Sequence, residues 1–342
     1  MQEQIATIKE RKKRIVGGIR SALLTHGGMT KVELSRMLGI SFPTISKFLG
    51  EMEREGELVP ARLDESSGGR RAQRYAYDPA HMLGLAIFLE KTETRFVIFD
   101  CKGEALEAGQ APTVLGDDVH ILTAFIEQLV ERHPKIRSVA VGVPGAVNNG
   151  RIIYIPSYET YHDFDLKGCL EARLGIPVVV ENDMNAAVLG YNDKKGGLLS
   201  PSLVYLYLGQ NGPGAGILVG GDIVRGSTFF AGEVSFLPQY DAQNFGQALN
   251  RSDAGGADRL DEAGIDAVSR MVAACAAILN PHAVVFCRDE VGEAMLERIA
   301  ERSAAYIPAA HLPSLAASDW QQDYLDGLRY LGLQLMISGA SV

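Results

Sequence analysis

Ile176-Pro-Val-Val-Val-Glu181-Asn182-Asp183-Met-Asn-Ala-Ala187 passes from an apolar, β-branched run straight into Asn, Asp and alanines. The first half has the continuity of a buried strand, and Asn182-Asp183 supply side chains that cap a helix start, so the stretch predicts a strand feeding a helix. The alternation recurs outward on both sides. Upstream, Leu83 to Glu90, Arg95 to Asp100 and Glu104 to Gln110 read as strands, followed by a helix across 118–132, the strand Ser138 to Val143 and a short helix from Asp165 to Leu174. Downstream come the strand Leu203 to Leu208, glycine-rich turns to Gly226, a long helix near 262–280, the strand His282 to Phe286 and terminal helices. The pattern predicts an α/β body of two similar lobes around a cleft, one over 81–198 and one over 199–342 with the C-terminal helices.

Residues 1–80 have a different character. They hold 14 Lys and Arg against 10 Asp and Glu, whereas the other 262 residues hold 19 against 32. A net-positive head on an acidic body favours a nucleic-acid partner for the head. Ile15, Ile19 and Leu23 recur at helical spacing before Gly27-Gly28. Thr30-Lys-Val-Glu33 is a capping box that opens a second helix, and Gly39 supplies its left-handed stop. Ser41 is expected to cap a third helix with Pro43 in its first turn and Ile45, Phe48, Leu49 and Met52 on its buried stripe. Its open face offers Pro43, Ser46 and Lys47 beside Thr44, small polar and basic groups suited to a major groove.

Glu57 to Arg62 and Arg71 to Tyr77 then read as a hairpin whose glycine-rich tip carries Arg70 and Arg71, the form of a wing. The expectation is a winged helix-turn-helix domain with Ser41, Pro43, Thr44, Ser46, Lys47, Arg70 and Arg71 facing double-stranded DNA. The same segment read without its spacing is a three-helix module that binds protein.

No apolar run reaches the roughly 18 residues needed to span a bilayer, and the N-terminus lacks the apolar core of a secretion signal, so a cytoplasmic location is expected. Cys101, Cys169, Cys275 and Cys287 are scattered singly, without a CxxC pair, and are read as reduced thiols. His120, His162 and His282 are isolated and are read as surface or core residues. No metal and no cofactor is expected.

Val-Ala-Val-Gly142-Val-Pro144-Gly145, Val-Glu-Asn182-Asp183-Met-Asn-Ala-Ala, Gly212-Pro-Gly214-Ala-Gly216-Ile and Ala231-Gly232-Glu233 follow one another in the order and spacing of the ROK family. The chain resembles that family of bacterial sugar kinases and sugar-responsive repressors over nearly its whole length. It resembles the repressor branch at its N-terminus. The resemblance implies an actin-like ATPase, or ribonuclease-H-like, body behind the winged head. It implies that Asn182, Asp183 and Glu233 contact sugar hydroxyls and that Ser157-Tyr158-Glu159 lies where related proteins contact sugar; Gly142 to Gly145 read either as part of the cleft wall or as a turn with no ligand role. In the kinases Asp183 would be the base that takes a proton from the attacking hydroxyl.

The departures from the kinase pattern are specific. Where the family's kinases have an acidic residue followed by Gly-Gly-Thr to hold Mg and phosphate, this chain reads Gly84-Leu-Ala86-Ile-Phe88-Leu89-Glu90, with Ala86 at the acidic position. Gln210 replaces one glycine of the second phosphate turn, and Cys287-Arg288 replaces the glycines beside the adenosine pocket. Phe236 stands at the His of the family's structural zinc site, and no cysteine lies between Cys169 and Cys275, so that site is not expected. Gln239 to Asp261, rich in Asn, Asp, Gly and Ala, reads as a mobile loop or disordered insert.

The resemblance, with these losses, implies a DNA-binding repressor, a homodimer or higher homo-oligomer, whose body holds a sugar or sugar phosphate between its lobes. Two alternatives stay open: an active ATP-dependent sugar kinase carrying a DNA-binding head, with Asp183 as its base, and a repressor that no longer responds to any ligand.

Overall fold

The computed structural model describes residues 2–60, 72–116, 118–196, 201–209, 212–240, 242–249 and 260–338. The head begins with helix α1 (Gln2–His26), which stops at Gly27 with φ 71°. After β1 (Met29–Thr30), helix α2 (Lys31–Leu38) is opened by a complete capping box: the Glu33 N–H donates to the Thr30 hydroxyl at 3.2 Å and the Thr30 N–H to the Glu33 carboxylate at 2.7 Å. Gly39, at φ 64°, turns the chain toward α3 (Phe42–Arg54), whose buried residues are Ile45, Phe48, Leu49 and Met52.

Ser41 occupies the cap position of α3 but does not cap it. Its hydroxyl instead pairs with that of Thr44 at 2.8 Å, and Pro43 offers no N–H in that first turn. Strands β2 (Leu58–Pro60) and β3 (Arg74–Tyr77) pair antiparallel and, with β1, form the sheet β1-β3-β2 of a winged helix. Arg20 reaches from α1 to hold the buried Glu57 carboxylate with two hydrogen bonds, 2.9 and 2.8 Å. Arg70 and Arg71 lie outside the described residues.

The first lobe is a five-stranded sheet in the order β10-β7-β4-β5-β6. Its strands are β4 (Leu83–Leu89), β5 (Glu93–Asp100), β6 (Ala105–Pro112), β7 (Ile136–Val143) and β10 (Val178–Asn182), with α4 (Val119–Arg132) before β7 and the small hairpin of β8 (Ala146–Asn148) and β9 (Arg151–Tyr154) after it. α5 (Leu166–Leu174) precedes β10, which runs straight into α6 (Asp183–Lys194). Side-chain alternation along β4 divides two cores: Leu83, Leu85, Ile87 and Leu89 join the core that includes Leu122 and Ile126 of α4, while Ala86 and Phe88 join the core on the other face.

The second lobe is the sheet β13-β12-β11-β16-β17, built from β11 (Leu203–Tyr207), β12 (Gly214–Val219), β13 (Asp222–Ile223), β16 (Ala283–Cys287) and β17 (Ser314–Ser318). Between β13 and β16 come β14 (Pro238–Tyr240), β15 (Gln243–Asn244), α7 (Phe245–Ala248) and α8 (Glu262–Leu279); α9 (Glu293–Ser303) follows β16. This corrects the reading of Gln239 to Asp261 as a mobile loop for its described part. Strands β14 and β15 pair, Asn244 and Gln247 cap α7 reciprocally, and Phe245 is fully buried. A polar composition concealed a short element anchored by one apolar side chain. Residues 250–259 are outside the described set.

A second correction concerns the chain's last helix. α10 (Trp320–Ser338), grouped by sequence with the second lobe, packs on α6, β4, β7 and β10 of the first lobe and on α1 of the head. It also reaches the second sheet, since the buried Asp323 accepts a 2.9 Å hydrogen bond from the Tyr205 hydroxyl. Buried residues of the head, including Ile19, Leu34, Leu49 and Tyr75, thereby share one continuous core with Ala86, Phe88, Tyr324 and Leu328.

Candidate functional site

A cavity of about 430 Å³ opens where the ends of the two sheets face each other. Asp183 enters it because β10 ends at Asn182 and α6 begins at the next residue. Asn182 is the helix cap, accepting the Asn185 N–H at 3.0 Å, and its amide donates to the Gly145 carbonyl at 3.0 Å and to Asp183 Oδ1 at 2.7 Å. Both amide protons are thus spent inside the protein. Asn182 lines the cleft chiefly as the residue that positions Asp183 and the Pro144-Gly145 wall, so its sequence reading as a cap and its reading as a cleft residue both hold.

Asp183 Oδ1 also accepts the Met184 N–H at 2.8 Å. Burial outweighs these bonds and, with the charge of Glu233, pushes the Asp183 carboxyl up to about 7. Glu233 lines the opposite wall, and burial raises its carboxyl as well. Its loop is fixed by Gly232 at φ 97°, whose carbonyl accepts the Ala215 N–H at 2.8 Å; a Cβ there would stand 2.2 Å from the Ala215 carbonyl oxygen. The sequence-read pair Asp183 and Glu233 is therefore brought to one cavity.

Glu90, just beyond the end of β4, is a third carboxyl in this cavity. Burial, then the charges of Asp183 and Glu93, push it up to about 8. Arg225 lines the cleft but is bonded to the buried Glu181 carboxylate, which also accepts the Asn182 N–H and an Asn185 amide proton. The floor beside Glu90 is aromatic. Phe88 packs on Tyr324 with ring centres 4.3 Å apart and on Trp320 at 5.8 Å, and Trp320 meets Tyr207 at 5.1 Å. Trp320, the single tryptophan of the chain, and Tyr207 both line the cavity and were missed in the sequence, because each comes from an element remote in sequence from Asp183.

A raised carboxyl favours the fold while it is protonated; for Glu90 that contribution is complete below the ordinary value of 4.5 and is lost as pH rises through about 8. Glu90→Gln has no such loss. Its melting temperature relative to the native protein is expected to climb steadily between pH 5 and pH 9, and a pH-independent difference in thermal melts would contradict the burial of this group.

Ala86 is fully buried and belongs to the core under α10, so the position of the kinases' acidic residue faces apolar side chains. A Mg-bound nucleotide finds no matching ligands there. Gly212 and Gly214 line the cleft, and Gly216 lets β12 approach α6, since a Cβ would stand 2.0 Å from the Met184 carbonyl oxygen. Gln210 lies outside the described residues. Cys287 is buried and Arg288 exposed, and neither lines the cavity.

Phe236 lines the rim, 60% exposed, and among the described residues no group of three His, Cys, Asp or Glu side chains is arranged to hold a metal. Pro156 reaches the cavity, whereas Ser157, Tyr158 and Glu159, expected beside a sugar, do not line it; Ser157 adopts φ 76° and the chain turns away.

In the head, Ser41, Pro43 and Lys47 are exposed at the start of α3, and Thr44 and Ser46 are half-buried, Ser46 accepting a 3.0 Å bond from Lys31. The structure thus gathers five of the seven sequence-read DNA-facing residues on one helix end.

Residues 85–238 match the profile of the ROK family. They are a ROK family domain. Over the whole chain the fold is that of a ROK family transcriptional regulator described as a homologue of the E. coli MLC protein: the two structures superpose with a TM-score of 0.71 at 17% identity, covering 97% of this chain and 100% of the other. In sequence the chain is similar to the xylose repressor of Caldicellulosiruptor bescii, 25% identical over 229 residues, which cover 63% of this chain and 56% of that protein. It is also similar to the beta-glucoside kinase of Listeria monocytogenes, 30% identical over 156 residues, 42% of this chain and 53% of the kinase. The matched stretches thus span less than two thirds of these relatives. Among the described residues no helix is long and apolar enough to cross a membrane.

Proposed function

We propose that this ROK protein is a DNA-binding transcriptional regulator whose body senses a sugar and does not transfer phosphate. The observation that carries this reading is the division of one cleft: Asp183 and Glu233 face it as hydroxyl acceptors, while the phosphate side is closed by buried Ala86 and the Phe88, Trp320 and Tyr207 rings. Carboxylates orient vicinal hydroxyls without any reaction. The names of the xylose repressors among its relatives agree with this assignment. Residues 1–80 form the DNA-binding unit, 81–198 and 199–342 the two lobes, with α10 returning to the first. The partners are operator DNA, a sugar or sugar phosphate, and a second copy of the chain, because paired heads on a near-palindrome multiply a weak single-head affinity.

The deciding experiment is a mobility shift of the gene's own upstream DNA against random DNA, at two salt concentrations, with and without a sugar panel. A salt-sensitive preference for the upstream fragment that one sugar alters is expected; equal binding to both fragments overturns the reading. Lys47→Ala should weaken operator binding and reduce the slope of log affinity against log salt by about one, the effect of losing one phosphate contact.

The kinase alternative draws on Asp183 and on the similarity to the beta-glucoside kinase. ATP-dependent turnover of any sugar in a coupled assay, lost in Asp183→Ala, would establish it.

A further inference from the structure

The rim of the cleft differs from its floor. Tyr154, Phe230 and Phe236 line the same cavity as Asp183 and Glu233, yet 51%, 54% and 60% of their surfaces remain in water. Phe230 and Phe236 lie on the same loop as Glu233, their ring centres 5.4 Å apart, and Tyr154 comes from β9 of the other lobe. Large aromatics left exposed around a concave site lower the free energy of a ligand that covers them. The backbone adds a second observation: Phe229 holds φ 59°, a left-handed conformation unfavourable for a bulky residue, immediately before Phe230.

We infer that the cleft holds a disaccharide, with one ring on the Asp183 and Glu233 carboxyls and the second ring stacked through its C–H face on Phe230 and Phe236. A pyranose has hydroxyls around its edge and an apolar face, so the Asp183 and Glu233 carboxyls beside an aromatic rim match two linked rings better than one. The argument rests on the proposed sugar-sensing reading of the same cleft. It also accounts for Phe236, whose side chain packs only against Phe230 among the described aromatic rings.

The test is titration calorimetry on the full chain with glucose against cellobiose and maltose, galactose against lactose, and xylose against xylobiose. In the set that binds, the disaccharide should bind about tenfold tighter than its monosaccharide. Phe236→Ala and Phe230→Ala should bring that ratio close to one, and Phe236→Tyr should retain it; thermal melts establish that each variant is folded. A monosaccharide that binds as tightly as every disaccharide containing it overturns the inference and leaves the sugar-sensing reading intact. So does an unchanged ratio in the alanine variants, including the case where they alter only oligomeric state in gel filtration. If no saccharide of the panel binds, the sugar-sensing reading fails and this inference with it.

Discussion

Asp183→Ala should lose about a hundredfold in sugar affinity. A carboxylate accepting hydroxyl hydrogen bonds contributes about 1.5–3 kcal/mol for each bond to a charged group, and about 2.7 kcal/mol is a hundredfold. The substitution also frees the Asn182 amide proton and the Met184 N–H that Asp183 now accepts, so the start of α6 loosens along with the site. Asp183→Asn, which keeps the shape and one acceptor, separates the two effects: it should fall between the native protein and the alanine variant in affinity and melt close to the native protein.

Because the Asp183 carboxyl stands at about 7, its ionised, accepting form fills in as pH rises through that value. Native sugar affinity should therefore increase between pH 6 and pH 8, and Asp183→Asn should lose the part of that rise that belongs to Asp183, keeping only what Glu233 and Glu90 contribute. The charge of Glu233 is part of what holds Asp183 high, so removing it by Glu233→Gln should move the native midpoint to lower pH. Calorimetric titrations across this range provide the check, and a native affinity independent of pH would remove the carboxylate from the sugar contact.

Much of this site was legible in the sequence where local rules govern it. Thr30 and Glu33 satisfy each other's backbone partners three residues apart, Gly39 answers a left-handed turn, and Ile45, Phe48, Leu49 and Met52 are spaced to one face of a helix; each is settled within a few residues. The junction at Asn182-Asp183 was readable for the same reason. The adjacency of Glu90 and Asp183 depends instead on the parallel sheet order β10-β7-β4, and the arrival of Trp320 depends on where the last helix docks. No periodicity within either segment encodes these contacts. Ser41 shows the opposite failure: a cap residue in a cap position is drawn to a neighbouring hydroxyl, and only coordinates distinguish the two. The order of the family's motifs anticipated Glu233 beside Asp183, whereas the aromatic rim arises from Phe230, to which that pattern gave no role, and from Phe236, which it read only as a lost zinc-site histidine.

Gly327→Ala should damage both ends of the molecule. At Gly327 an added Cβ would lie 1.8 Å from the Ala186 carbonyl oxygen, and at Gly190 it would lie 1.9 Å from the Asp323 carbonyl oxygen. Helices α6 and α10 therefore touch backbone to backbone, and no side-chain rotation relieves the clash. Overpacking of a rigid contact costs about 1–3 kcal/mol and can exceed that range; here the helices themselves must separate, so we expect about 3 kcal/mol or more, a large share of a domain's usual stability of about 5–15 kcal/mol. α6 carries Asp183 at its start, α10 carries Trp320 into the cleft, and α10 also packs on α1 of the head. One displaced helix pair should thus weaken sugar binding and operator binding together. Gly50→Ala is the control, since a Cβ there meets nothing within 4 Å and replaces glycine inside α3; it should raise stability by about 0.5–1 kcal/mol. Urea unfolding of the two variants beside the native chain measures both costs. A Gly327→Ala protein as stable as the native one would mean that α10 does not dock on α6 in solution, and that the shared core of head and body is not closed by this helix.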